Sequence, residues 1–249
     1  MDLNADLGEG FGVWRLGDDD ALLDLITSAN VACGFHAGDP ATMRRLCAAA
    51  AARGVAIGAQ VGYRDLAGFG RRRIEYAFDE LRDDVIYQIG ALAGFCRTAG
   101  TTLRYVKPHG ALYNTAAVDE SQAAAVVAAV RDYDRNLPLL CLPGSVLAQL
   151  ATGAGLRAVP EGFADRGYLP TGVLVPRSAP GALVTSADEV TRRAVRMATE
   201  RTVLAVDGST VPCPVESICL HGDTPGAVDL AGRVRAALTD TGVKLTPFN

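Results

Sequence analysis

Polar and apolar residues alternate strictly over residues 2–7, with Asp2, Asn4 and Asp6 on one face and Leu3, Ala5 and Leu7 on the other. This period of two predicts a strand whose polar face must meet water or a functional site. A short helix over 18–25 and an apolar strand at 31–33 follow, and Asp39 and Pro40 fit the N-cap and first position of a helix. That helix is alanine-rich, runs over 40–53 and is closed by Gly54. Strands are expected at 55–60, 103–106, 139–142, 156–159, 202–206 and 217–220. Helices are expected at 121–131, 145–150 and 187–200, together with a long one capped by Asp79 and reaching residue 98, in which Val85, Ile89, Leu92 and Cys96 recur at helical spacing. Thr224 is read as the cap of a closing helix with Ala227, Leu230, Ala231, Val234 and Leu238 on one face.

Strands that alternate with helices argue for a parallel sheet, because parallel neighbours need a crossover between them. Polar motifs follow at least five of these strands. That count favours a closed or nearly closed β/α barrel over a doubly wound sheet, which builds its site at one switch point. The glycine- and arginine-rich loop over 62–73, with Tyr63 and Phe69, is long enough to serve a site or an interface. Within it Arg71, Arg72 and Arg73 read as a solvated charge run. Residues 161–168 read as another polar loop after a strand, and 169–185 as an excursion with little regular structure.

Composition narrows the class. The 249 residues are 49% apolar and contain no Ser/Gly/Pro linker, which predicts a single domain over 1–249 with a large core. A net charge of −4 and a pI near 5.4 provide no basic footprint for nucleic acid or anionic membrane. No stretch of 18 uncharged apolar residues and no signal-like start is present, so a cytoplasmic location is expected. The six cysteines form no C-x-x-C pair and read as reduced core residues, with Cys33 the one nearest a polar motif. Only two lysines occur, Lys107 and Lys244.

Candidate chemistry gathers on the three histidines. His36 lies in Asn-Val-Ala-Cys-Gly-Phe-His-Ala-Gly-Asp-Pro (30–40), His109 in Lys-Pro-His-Gly-Ala-Leu-Tyr-Asn, and His221 in Cys-Leu-His-Gly-Asp-Thr-Pro-Gly. A lone loop histidine is usually a structural hydrogen-bonding group. Three that each follow a strand and stand beside glycine point to a shared site, because glycine lets a short loop aim its neighbour inward. Two chemistries stay open. His36, His109 and His221 with Asp6 or Asp223 suit a divalent metal. Alternatively, a histidine moves protons without metal, Asp6 orients it or activates water, and Lys107 stabilises negative charge. Asp165 and Arg166 either pair with each other or leave Arg166 to grip a substrate carboxylate. Gly8-Glu9-Gly10-Phe11-Gly12 lacks the helix start of a phosphate-binding loop, and no other nucleotide motif occurs.

Six motifs taken in order resemble the LamB/YcsF family, the family of bacterial 5-oxoprolinase A subunits. They are Asp-Leu-Asn-Ala-Asp-Leu-Gly-Glu (2–9), Ser-Ala-Asn-Val-Ala-Cys-Gly-Phe-His-Ala-Gly-Asp (28–39), Val-Lys-Pro-His-Gly-Ala-Leu-Tyr-Asn (106–114), Phe-Ala-Asp-Arg-Gly-Tyr (163–168), Leu-Val-Pro-Arg-Ser (174–178) and Leu-His-Gly-Asp (220–223). The resemblance implies an irregular parallel β/α barrel of about seven strands, similar to that of glycoside hydrolases and polysaccharide deacetylases. It also implies ATP-dependent opening of the 5-oxoproline lactam to L-glutamate with subunits B and C, ATP being bound with or by those partners. A homo-oligomer is compatible with this.

Under this resemblance Asp6 and His36 are the acid/base candidates, and Lys107 and His109 stabilise a developing oxyanion or phosphate. His221 is a second proton donor, and Asn4, Asn30, Arg166, Tyr168 and Asp223 contact substrate. One position departs from the family pattern: Gln60 stands where a Gly-Ala-His-Pro stretch carries histidine. A metal scheme that uses that histidine is weakened, and no metal ligand is assigned. The competing readings are a metal-dependent deacetylase-like amide hydrolase acting alone and a non-catalytic scaffold.

Overall fold

A computed structural model of the chain describes residues 1–222 and 226–248. In chain order the elements are β1 (Asp2–Leu7), α1 (Asp19–Leu23), β2 (Ser28–Ala32), α2 (Pro40–Arg53), β3 (Ala56–Val61), α3 (Phe78–Thr98), β4 (Tyr105–Pro108), α4 (Gly110–Ala116) and α5 (Glu120–Asp134). They continue with β5 (Leu139–Cys141), α6 (Val146–Gly153), β6 (Ala158–Phe163), α7 (Ala187–Thr199), β7 (Thr202–Leu204), β8 (Thr210–Pro212), β9 (Ser217–Leu220) and α8 (Ala227–Asp240).

Seven parallel strands close into a barrel in the order β1-β2-β3-β4-β5-β6-β9, with β9 returning to β1. The alternation in β1 is resolved by this closure. Leu3, Ala5 and Leu7 join the main core with helix residues such as Leu22, Leu46 and Val234, so the apolar layer lies between strands and helices. Asp2, Asn4 and Asp6 are equally buried but bond to polar groups across the barrel interior. The polar face therefore turns inward: Asp2 and Asn4 fill the barrel, and Asp6 reaches the cleft at its end.

Local signals place most elements where residue chemistry predicts. Asp39 caps α2 by accepting from the Thr42 N–H, Pro40 opens it, and Gly54 closes it in the left-handed conformation. Three expectations are corrected, and one helix has no counterpart among them. Ala77, not Asp79, precedes α3, because Asp79 instead places its charge in the first turn, where the helix dipole favours it. The strand expected at 202–206 becomes β7, which pairs antiparallel with β8 outside the barrel. Helix α4, only seven residues long, has too few turns for a periodic signal. Strand β6 runs on through Glu161 to Phe163, into the stretch expected to be a loop. The Thr224 cap and Asp223 lie outside the described residues. Among those described, no helix is long and apolar enough to cross a membrane.

Candidate active site

The polar interior centres on Lys107, carried by β4 and 2% exposed. Its Nζ lies 2.7 Å from Glu161 Oε1 on β6, 3.1 Å from Asp6 Oδ1 on β1, 3.3 Å from Asn4 Oδ1 and 3.1 Å from Cys219 Sγ on β9. Asn30 on β2 donates to Asp6 Oδ1 at 2.8 Å and to Asn4 Oδ1 at 2.6 Å, and itself accepts from the Tyr105 hydroxyl. Asn4 donates to Glu161 at 2.9 Å and to Ser217 at 2.6 Å. Polar residues from β1, β2, β4, β6 and β9 thus share one closed network, as buried polar groups require.

One ammonium faces two carboxyls here, so they cannot share the same state. Burial raises the Asp6 carboxyl, but Lys107, with His221 and Asn30, more than offsets this and holds it below the usual carboxylate range. Burial also opposes the Lys107 charge, yet Asp6, Cys219 and Glu161 push its pKa well above that of a free lysine. For Glu161 burial wins over Lys107 and the carboxyl is raised. The arrangement is an ionised Asp6–Lys107 pair with Glu161 as the more readily protonated acid beside it. Glu161 Oε2 and the Tyr113 hydroxyl of α4 are both buried without a hydrogen-bond partner.

His221 follows β9, and its Nδ1 lies 2.6 Å from Asp165 Oδ2. An ionised carboxylate only accepts, so Nδ1 carries the proton and Nε2 is left as the accepting nitrogen. Burial raises the Asp165 carboxyl, but the neighbouring His221 outweighs it and the pKa is lowered. A histidine fixed by a buried carboxylate is the arrangement general-base catalysis needs.

Both groups open on one narrow cleft of about 30 Å³, whose walls include Asp6, Lys107, His109, Tyr113 and His221. Its rim is strongly cationic, carrying Arg71, Arg166 and Arg177. Arg166 donates from Nε to the Ala182 carbonyl at 3.0 Å and from Nη2 to the Val175 carbonyl at 2.7 Å. Burial, with Arg177 close by, pushes its pKa down to about 10. The Arg71 guanidinium lies 4.7 Å from the centroid of the Phe69 ring. The three guanidinium groups around it favour an anionic ligand.

A second cluster backs the cleft. His36 and His109 stack with ring centroids 3.8 Å apart and planes 6° from parallel. Gly70 (φ +62°) makes the stack possible, since a Cβ there would lie 2.8 Å from His36 Cβ and 2.9 Å from His109 Cδ2. Gln60 bridges the cluster, its Oε1 3.2 Å from His36 Nε2 and its Nε2 3.4 Å from Glu9 Oε1. Burial first, and then His109, depress the His36 pKa well below 6.5, while burial lowers that of His109 to about 3.

Glu9, His36 and His109 hold donor atoms within 4.8 Å of one another, a donor set of the right type for a divalent ion. The ring geometry does not fit one. Imidazole lone pairs lie in the ring plane, and those of two parallel rings do not converge. An ion bound at ~2.1 Å from both would sit far out of each plane.

The profile of the LamB/YcsF family matches residues 1–249. The chain belongs to the LamB/YcsF family. Similar relatives carry the name of the 5-oxoprolinase A subunit: that of Streptomyces griseus is 61% identical over 248 residues, covering 100% of this chain and 99% of the relative. That of Mycolicibacterium gilvum is 59% identical over 249 residues, with 100% and 99% covered. A crystal structure of a lactam utilization protein from Thermus thermophilus superposes with a TM-score of 0.95 at 46% identity, covering 100% of this chain and 99% of that one.

Within this LamB/YcsF chain the residues singled out by sequence divide by depth. Asp6, Lys107, His109, Arg166 and His221 line the cleft. Asn4 and Asn30 are fully buried and hold Asp6 and Lys107 from below, and His36 lies behind His109. Tyr168 is 1% exposed and its hydroxyl accepts from the Phe163 N–H, so it braces the end of β6 away from the cleft. Arg166 and Asp165 do not pair: Asp165 holds His221. Arg71, Arg72 and Arg73 are all exposed, as a solvated run predicts; Arg71 also lines the cleft, whereas Arg72 pairs with Asp65 and Arg73 with Glu75 and Asp119.

Reading the sequence alone passes over Glu9, Glu161, Tyr113 and Arg177 as site residues. Glu161 carries one usable signal, a lone acid ending an apolar run. Arg177 stands inside the Leu-Val-Pro-Arg-Ser motif, where nothing local assigns it a role.

Proposed function

We propose that this chain is the ring-opening subunit of an ATP-dependent 5-oxoprolinase that works with partner subunits B and C in the cytoplasm. The observation that carries this reading is the Asp165–His221 dyad facing Lys107 across a cleft rimmed by three arginines. The 5-oxoprolinase name of the relatives and the lactam utilization name of the Thermus protein support it.

A lactam resists water because its amide is resonance-stabilised. Transfer of the ATP γ-phosphoryl group to the carbonyl oxygen, assigned to the partners, makes the ring carbon electrophilic and the substrate more anionic. The cationic rim of Arg71, Arg166 and Arg177 suits both the carboxylate and the phosphoryl group. His221 Nε2 takes a proton as water adds to the ring carbon, and returns it to the ring nitrogen as the C–N bond breaks. Lys107 offsets negative charge at the carbonyl-derived oxygen. The acyl phosphate left behind reacts with a second water to yield L-glutamate and phosphate.

The test is glutamate release from 5-oxoproline and ATP by this chain with its two partners. His221→Ala should lower kcat by about 10²–10⁴-fold while leaving assembly intact. Normal turnover by the partners alone would refute the reading.

A further inference from the structure

Among the described residues, the Asp165 carboxylate is hydrogen-bonded by no residue except the histidine it orients. Its Oδ2 accepts from His221 Nδ1 at 2.6 Å and from the His221 N–H at 3.4 Å, while Oδ1 is buried with no partner among those residues. The aim of the carboxylate therefore depends on where the backbone at 164–166 is fixed. Arg193 of α7 supplies that fixation. Its guanidinium donates from Nε to the Ala164 carbonyl at 3.0 Å and from Nη2 to the Arg166 carbonyl at 2.7 Å, so it grips the chain on both sides of Asp165. Nη1 donates to the Leu204 carbonyl of β7 at 3.1 Å, and the Asp165 carbonyl accepts from the Val184 N–H at 2.9 Å. A flat guanidinium reaches carbonyls in three directions from one centre, a spread that a compact ammonium cannot match.

We infer that Arg193 is a positioning residue of the site: by gripping the carbonyls on either side of Asp165, it aims the carboxylate that holds hydrogen on His221 Nδ1. Two observations separate this role from plain support of the fold. The first is its charge. Arg193 is buried, yet no carboxylate pairs with it among the described residues, Glu189 one turn earlier on α7 being taken by Arg192. A buried cation spent on neutral carbonyls is a poor source of stability, because well-packed apolar side chains commonly do as well. The second is its place. The guanidinium converges on the turn after β6 that carries the partner of the base. Tyr168, whose ring centroid lies 5.8 Å from it, braces the same stretch by accepting from the Phe163 N–H. The β7–β8 hairpin, which stands outside the barrel, thereby acquires a role in the site, since Leu204 supplies the third carbonyl. Arg193 does not line the cleft and acts only through Asp165 and His221.

The catalytic consequence rests on the dyad being the base of the proposed function, whereas the histidine's tautomer is readable without turnover. In ¹⁵N-histidine-labelled protein, the resonances lost in His221→Gln should report hydrogen on Nδ1 in the wild type. Arg193→Lys should bring in the form protonated on Nε2 and, with the partner subunits present, lower kcat about 10²-fold at unchanged KM. Arg193→Met, which puts an apolar chain in place of the buried charge, should act alike and serves if the lysine variant does not fold. Leu92→Ala is the destabilised control, a core residue of α3, which packs on α5 and β3. Its urea midpoint should fall while the His221 tautomer and kcat stay as in the wild type. An unmixed Nδ1 tautomer in a folded Arg193 variant would overturn the inference, as would unchanged kcat in it or failure of both variants to fold. The same loss of kcat in Leu92→Ala would overturn it too. Absence of turnover by the wild type, with the tautomer change present, would instead refute the ring-opening reading and leave the role of Arg193 standing.

Discussion

His221 depends on Asp165 for its tautomer. With the carboxylate 2.6 Å from Nδ1, the proton is held there and Nε2 is left as the accepting nitrogen. An amide in its place can turn its NH₂ toward Nδ1, and the ring then carries hydrogen on Nε2, where a base must be bare. Asp165→Asn should therefore lower kcat by about 10²–10⁴-fold with little change in KM. Steady-state assays with the partner subunits check this split; a change confined to KM would assign Asp165 to binding. Lys107 carries a different load, because removing it leaves Asp6 and Glu161 buried without their cation. Lys107→Met should destabilise the fold by about 3–5 kcal/mol, read from urea unfolding as well as from lost activity.

At the scale of elements, how much could be read from sequence depended on how local each signal was. The cap residues Asp39, Pro40 and Gly54 act within one turn and were legible. So were the histidine loops, because glycine must stand where the chain turns sharply. Gly38 has φ +80°, and a Cβ there would lie 2.5 Å from the Ala32 carbonyl oxygen. Gly38→Ala should cost about 1–3 kcal/mol and displace the His36 loop, visible as a lower urea midpoint and as shifted His36 resonances. Asp2, Asn4 and Asp6 show where local reasoning stops. Their alternation identified a strand but not the direction of its polar face, since only closure of the β1–β9 seam creates a polar interior. Glu161 was missed for a related reason: its partners Asn4 and Lys107 lie 157 and 54 residues away, and no spacing rule links such positions. Arg71 likewise looks like its neighbours until the fold turns it to the cleft.

For the whole molecule, a barrel filled with polar and titratable groups makes stability sensitive to pH. The His36 pKa is depressed by burial and by His109, so between pH 6.5 and its folded value the unfolded chain binds a proton that the native state refuses. Its contribution is complete above pH 6.5 and is lost on acidification, at about 1.4 kcal/mol per pH unit. Asp6 and Asp165, both lowered, act with the same sign at lower pH: their contribution is present above the ordinary carboxylate value and lost as pH falls through their folded values. Asp2, raised by burial, and Glu161 act oppositely and regain stability as they protonate. The His36 term is isolated by comparing wild type with His36→Gln, because the carboxyls are common to both. Urea midpoints of the wild type minus those of the variant should shrink steadily from pH 7 to pH 5. A constant difference over that range would mean that His36 is protonated in the folded barrel and that its stack on His109 is not one of neutral rings.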